Sequence, residues 1–173
     1  MSQKINYYPK QILKTLSKDV PLPYPSSVYS KIQQLKHAIR LEDEVWTRLG
    51  LSLSAPQLGI PLRFFIISRI QNWNSPAIHR AFDTFVNPQI VWFDHETSDD
   101  WEGCLSIPQW ECLVTRPNSI EVNYFDYTGN NKTAHFKGTY ARIIQHEIDH
   151  LDGKLMTEKA KKFKPHKPLK QVS

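Results

Sequence analysis

Apolar residues recur along the chain in several rhythms, each predicting a different element. Val28, Ile32, Leu35 and Ile39 follow one another at steps of four, three and four, which lays them along one face of a helix. Ser26 and Ser27 after Pro25 offer an N-cap, so a helix is predicted from about Ser27 into the Glu42 to Arg48 region. From Gly50 to Pro61 the chain turns to Gly, Ser, Pro and a lone Gln, a loop with backbone amides free to serve a site. Phe64 to Ser68 and Phe85 to Phe93 read as strands, with a surface excursion at Asn72, Asn74, Ser75 and Pro76 between them. Ile120, Val122 and Tyr124 alternate with Glu121, Asn123 and Phe125. Thr128-Gly129-Asn130-Asn131 then supplies a turn before Thr133 to Lys137, predicting a β-hairpin. A second helix is predicted from about Thr139 to Leu151, ended by Asp152-Gly153, where glycine suits the left-handed position after a helix. Strands in the middle flanked by helices give an α+β class, with antiparallel or mixed β-sheets packed around the second helix and an N-terminal helix.

Composition narrows the picture. With 173 residues, 40% of them apolar and 23% charged, the chain suits one compact core. No apolar run approaches a membrane span, and Met1 to Pro25 lacks the apolar centre of a secretory signal. Two cysteines, Cys104 and Cys112, make no disulfide framework and fit a reducing compartment. The net charge of +5 is local: residues 159–173 hold six lysines and no acid, which leaves residues 1–158 at a net −1. We therefore expect a single catalytic domain over 1–158 and a flexible, lysine-rich tail over 159–173. That tail reads either as a local contact with RNA or as a solvated terminus, with no DNA groove and no membrane partner expected.

The second helix carries His146-Glu147-Ile148-Asp149-His150, an H-E-x-x-H pattern. Residues four apart share a helix face, so two imidazoles can converge on one divalent cation, and Glu147 can move a proton beside it. Ile143, Ile144, Ile148 and Leu151 around the motif imply a buried helix, in which imidazoles need partners. The best third ligand is Cys104 in Glu102-Gly103-Cys104-Leu105-Ser106, where Gly103 permits a tight backbone path. Two imidazoles and a thiolate leave one coordination position for water, the arrangement of a hydrolytic centre. Cys112 has no such context and reads as a small buried hydrophobe.

Three ordered segments together resemble the peptide deformylase family: Gly50-Leu51-Ser52-Leu53-Ser54-Ala55-Pro56-Gln57, Glu102-Gly103-Cys104-Leu105-Ser106, and Gln145-His146-Glu147-Ile148-Asp149-His150-Leu151. The resemblance runs from about Tyr8-Pro9 to Met156. The second and third match in full, whereas the first has Ser52 where the family usually has its second glycine and Ser54 where many members have alanine. The resemblance implies hydrolysis of the N-formyl group from the formylmethionine of nascent polypeptides, with release of formate. By similarity Cys104, His146 and His150 hold the metal, Glu147 is the general acid/base, and Gln57 with the backbone N–H of Leu105 forms the oxyanion hole. Gly50, Leu51, Ser52, Gly103 and Ile143 border the substrate, Leu51 and Ile143 lining the methionine pocket. Ser52 adds a β-carbon where the substrate backbone passes, so Ser52→Gly is expected to raise turnover. Glu102 and Arg116 are implied to brace the Cys104 loop, with Gln145 also supporting the metal ligands.

The donor set suits zinc, while the family resemblance implies Fe2+ first, with Zn2+, Ni2+ or Co2+ able to take the same site. It also implies a ribosome contact through the tail and the cytoplasm of a bacterium, or a mature organellar form. Two rivals remain: a zinc endopeptidase, and a deformylase-like, ribosome-associated metal-binding protein with weakened catalysis. The cysteine lies 42 residues upstream of His146, unlike the downstream third ligand of familiar zinc endopeptidases. The sequence assigns no oligomeric state.

Overall fold

The structure, a computed structural model, describes residues 4–42, 52–70 and 80–166. The expected helix end beyond residue 42, the excursion at 72–76, and Gly50 and Leu51 lie outside the described residues. Helix α1 spans Ser26–Glu42, and its Val28, Ile32, Leu35 and Ile39 stripe is buried. The strands among the described residues are β1 (Ser52–Ser54), β2 (Phe64–Ile70), β3 (Arg80–Phe93), β4 (Thr97–Glu102), β5 (Trp110–Pro117), β6 (Ser119–Phe125), β7 (Asn131–Lys137) and β8 (Ala160–Pro165). Helix α2, Gly138–Leu151, lies between β7 and β8 and carries the H-E-x-x-H residues.

Two antiparallel sheets result, one in the order β1-β2-β3-β6-β7 and one in the order β4-β5-β8. The apolar run of β2 shows why the larger sheet has a helix on each face. Successive strand residues point to opposite faces. Phe64 and Ile66 accordingly join the α1 stripe in one core cluster, while Phe65 and Ile67 join Ala141, Ile144, Ile148 and Leu151 of α2 in another. Each of these four β2 side chains is buried, contributing about 1.5–3 kcal/mol. A third cluster, including Leu13, Cys104, Ile107, Cys112, Val114, Leu155 and Met156, lies against the smaller sheet.

The flexible tail expected from residue 159 does not hold for residues 159–166. Ala160–Pro165 is strand β8, paired with β5 from Trp110↔Pro165 to Val114↔Ala160. Its lysines are those of a protected sheet edge rather than a free terminus. Lys161 pairs with Asp99 at 2.9 Å and Lys164 with Glu111 at 2.7 Å, the latter ammonium also lying 4.3 Å from the Trp101 ring centroid. The structured unit therefore extends past residue 158.

Helix α2 ends as the sequence predicts. Gly153 has φ +69°, and a β-carbon there would meet the Lys14 backbone at 2.8 Å, so both conformation and space demand glycine. One flank of α2 packs on the large sheet. From the other, Arg142 reaches Glu102 and Val114 and Gln145 reaches Pro117, which ties the helix to the small sheet.

Candidate metal centre and active site

Three local structures bring the candidate residues together. On α2, the rings of His146 and His150 lie one turn apart, with centroids 4.9 Å apart and planes at 83°. Cys104 lies two residues past the end of β4, in a turn closed by the Ile107 N–H donating to the Cys104 carbonyl at 2.9 Å. Gln57 sits in the single turn Ala55–Leu58 directly after β1. The N-terminal segment straps two of these pieces, since the N–H of Asn6 donates to Gln57 O (2.7 Å) and that of Tyr8 to Ser106 O (3.0 Å).

Cys104 Sγ lies 3.2 Å from His150 Nε2, and the ligand atoms of Cys104, His146 and His150 all fall within 4.8 Å of one another. All three residues are buried. Ligand atoms around one tetrahedral ion stand about 3.3–3.6 Å apart, so this grouping fits a single divalent metal. His146 Nδ1 lies 3.0 Å from Glu102 Oε2, which fixes the ring and leaves its other nitrogen for the metal.

Electrostatics prepare the sulfur. Burial opposes ionisation of Cys104, but the imidazoles of His150 and His146 outweigh it and bring the thiol down to about 6. Burial likewise disfavours a charged His146, yet its contacts with Cys104 and Glu102 hold its pKa well above the ordinary value. A metal would take the place of that imidazole proton. Cys112, by contrast, is pushed up to about 11 by burial and by the negative charges of Glu102 and Cys104.

Behind the ligands stands a buried ionic network. Glu102 accepts from Arg116 Nε (2.6 Å) and Nη2 (2.9 Å) and from Arg142 Nη1 (2.8 Å). Arg116 Nη1 also donates to Asp149 (2.9 Å), whose carboxylate receives Lys159 at 2.6 and 2.8 Å. Burial would raise the Glu102 pKa, but hydrogen bonds from Arg116 and His146 hold it far below the usual carboxylate range. The Glu102–Arg116 pair implied by resemblance is thus present and buried, although as sequence features alone the two read as surface charges.

Gln57 is buried and its amide is oriented by its partners. The Ser54 N–H and hydroxyl both donate to Oε1 (2.8 and 3.0 Å), which turns Nε2 toward Ser106 Oγ (3.1 Å) and Cys104 Sγ (3.7 Å). Leu105 lies in the Cys104 turn, Gly103 is exposed beside it, and Ile143 is half-buried on α2. Gln145 donates to the carbonyls of Pro117 (3.0 Å) and Ala141 (3.2 Å), bracing the helix instead of contacting a ligand.

Glu147 is 2% exposed. One of its oxygens, Oε1, accepts a 2.6 Å hydrogen bond from Ser52 Oγ, whereas Oε2 has no hydrogen-bond partner among the described residues. The sequence reading placed the Ser52 side chain only in the substrate's path and missed this bond, whose partners lie 95 positions apart. It also missed Arg142, Asp149 and Lys159. For the two on the helix a signal exists: Arg142, His146 and Asp149 recur at steps of four and three, so they share one flank.

An α+β fold that gathers a thiol and two imidazoles at one point, beside a buried carboxylate and a side-chain amide, has the make-up of a metal-dependent hydrolase. A sequence model of the polypeptide deformylase family matches residues 2–166. The peptide deformylase of Christiangramia forsetii is 33% identical over 168 residues, covering 91% of this chain and 81% of that protein. Among solved structures, a probable peptide deformylase from Synechococcus phage S-SSM7 superposes with a TM-score of 0.79 at 31% identity, covering 91% of this chain and 99% of that one. The Met-Ala-Ser-bound class I type b peptide deformylase from Acinetobacter baumannii gives 0.77 at 30% identity, with 92% and 99% covered. The chain belongs to the peptide deformylase family, hydrolases that remove N-formyl groups.

Proposed function

We propose that Cys104, His146 and His150 hold one divalent metal with which this chain removes the formyl group from the formylmethionine of nascent polypeptides. The observation that carries the assignment of residues is the convergence of those three ligand atoms beside Glu147, whose Oε2 has no partner among the described residues. When bound, the metal polarises the formyl oxygen and acidifies water. Glu147 takes a proton from the attacking water at Oε2 and returns it to the amine nitrogen as the C–N bond breaks. The formyl carbon, now carrying the water oxygen, leaves as formate, and methionine keeps a free amine. Gln57 Nε2 and the Leu105 backbone N–H stabilise the charge developing on the formyl oxygen. The substrate backbone runs beside Gly50, Ser52 and Gly103, and its methionine side chain lies against Leu51 and Ile143.

Iron(II) is the native metal in this reading, on family resemblance, with zinc, nickel or cobalt able to take its place. A thiolate-ligated iron makes the protein oxygen-sensitive. The reading places the protein in the bacterial cytoplasm; no helix among the described residues is long and apolar enough to cross a membrane. It also includes a salt-dependent contact of the basic C-terminal residues with ribosomal RNA. The lysines of this contact are Lys159, Lys161, Lys162 and Lys164, of which Lys159, Lys161 and Lys164 are each also engaged by an acid.

Anaerobically prepared, iron-loaded protein should release formate from formyl-Met-Ala-Ser, and Glu147→Ala should abolish the release while retaining metal. Absence of formate, or cleavage inside an unformylated peptide, overturns the proposal.

A further inference from the structure

Ser52, the clearest departure from the family's first motif, does more than occupy space. Strand β1 is three residues long, and alternation sends Leu53 into the core beneath α1 while Ser52 and Ser54 share the other face. Both hydroxyls on that face reach groups of the site: Ser54 Oγ donates to Gln57 Oε1, and Ser52 Oγ donates to Glu147 Oε1 at 2.6 Å. That length is typical of a hydroxyl bonded to a charged carboxylate, among the stronger hydrogen bonds in proteins.

The bond makes the two oxygens of Glu147 unequal. Oε1 is held, and Oε2, also buried, is bonded to nothing among the described residues. A glutamate side chain has three rotatable bonds, so a tether on one oxygen selects among its rotamers and aims the other. Glycine at position 52 has no atom that could make it. We propose that Ser52 is a positioning residue, its hydroxyl holding Glu147 so that Oε2 is presented for proton transfer. This rests on Glu147 being the general acid/base. It also reverses the sense of the expectation drawn from size alone, because the β-carbon that would crowd a substrate carries the oxygen that orients the carboxylate.

Formate release from formyl-Met-Ala-Ser by metal-loaded Ser52→Ala, Ser52→Gly and Ser52→Thr separates the two ideas. Ala and Gly should each lower kcat about tenfold with little change in KM. Thr keeps the hydroxyl and suits a strand, so it should recover most of the loss. A second readout is independent of turnover. In metal-stripped protein, Ser52→Ala should lower the thermal midpoint by about 3–8 °C, and should not lower it when Glu147→Ala is already present. Turnover at or above the parent's in Ser52→Gly, a loss confined to KM, or equal thermal shifts in both backgrounds overturns the positioning role. A parent that releases no formate overturns the deformylase reading and this role with it; an active parent with an unaffected Ser52→Ala overturns the role alone.

Discussion

Glu102 is a single buried carboxylate on which two guanidinium groups and an imidazole converge. Glu102→Gln keeps its shape but offers one neutral acceptor in place of a charged pair and turns an NH2 group toward Arg116 and Arg142. Both arginine side chains are at most 10% exposed, so water does not replace the lost charge. Removing one partner of a buried ion pair costs about 3–5 kcal/mol. Arg116 keeps Asp149, and Arg142 keeps the carbonyls of Val114 and Ser98, so we expect the lower end, about 3 kcal/mol, in urea unfolding at pH 7. His146 exchanges a charged acceptor for a neutral amide oxygen, so affinity for metal should fall about tenfold in competition with a chelator. The pH dependence follows from the depressed pKa of Glu102. Its stabilisation is complete above the unfolded value near 4.5 and is lost as pH falls toward the lower folded value. The gap between parent and variant should therefore be constant near neutrality and shrink below pH 4.5. A gap under about 1 kcal/mol at pH 7, or one unchanged on acidification, would refute the assignment of a buried anion to this position.

Gln57→Ala should lower kcat about 10²–10³-fold with a smaller effect on KM, measured by formate release; an equal loss in both would move Gln57 from reaction to simple binding. In metal-stripped protein, ultraviolet thiolate absorbance should titrate with a midpoint near 6, the thiolate persisting as pH rises, and Cys104→Ser should remove that step; a first step near 9 would refute the imidazole-stabilised sulfur. Deleting residues 160–173 should cost about 1–3 kcal/mol and, by baring the edge of β5, promote self-association visible in sedimentation. Unchanged stability and a single monomeric boundary would show that β8 is dispensable.

How much of this was readable beforehand depended on whether a signal was local. Both helices announced themselves because Val28, Ile32, Leu35 and Ile39, and likewise Ile144, Ile148 and Leu151, repeat within one helical stripe. Strand β2 was legible as an apolar run buried on both faces. Strand β4 was not, because its residues from Thr97 to Trp101 are exposed and only Glu102 is buried. In β5 the buried face is Cys112, Val114 and Arg116, and a charged member hides the alternation. In β8 the exposed lysines of a sheet edge have the same local composition as a solvated terminus. The same rule governs the site. His146, Glu147 and His150 are set by helical spacing, whereas the partners of Glu102 lie 14 to 44 positions away, and no pattern within one segment encodes such a meeting.

Strand β2 works as a party wall. Its even-numbered tenants, Phe64 and Ile66, furnish the room of α1, and its odd-numbered ones, Phe65 and Ile67, furnish the room of α2, the helix that carries His146 and His150. Inserting or deleting one residue here would exchange the occupants of both rooms at once, so length in this strand is guarded more strictly than identity. Redecorating one side alone is not neutral for the site, because swaps at 64 and 66 would reach Leu53, Ala55 and Leu58 in the same cluster and through them the turn that holds Gln57.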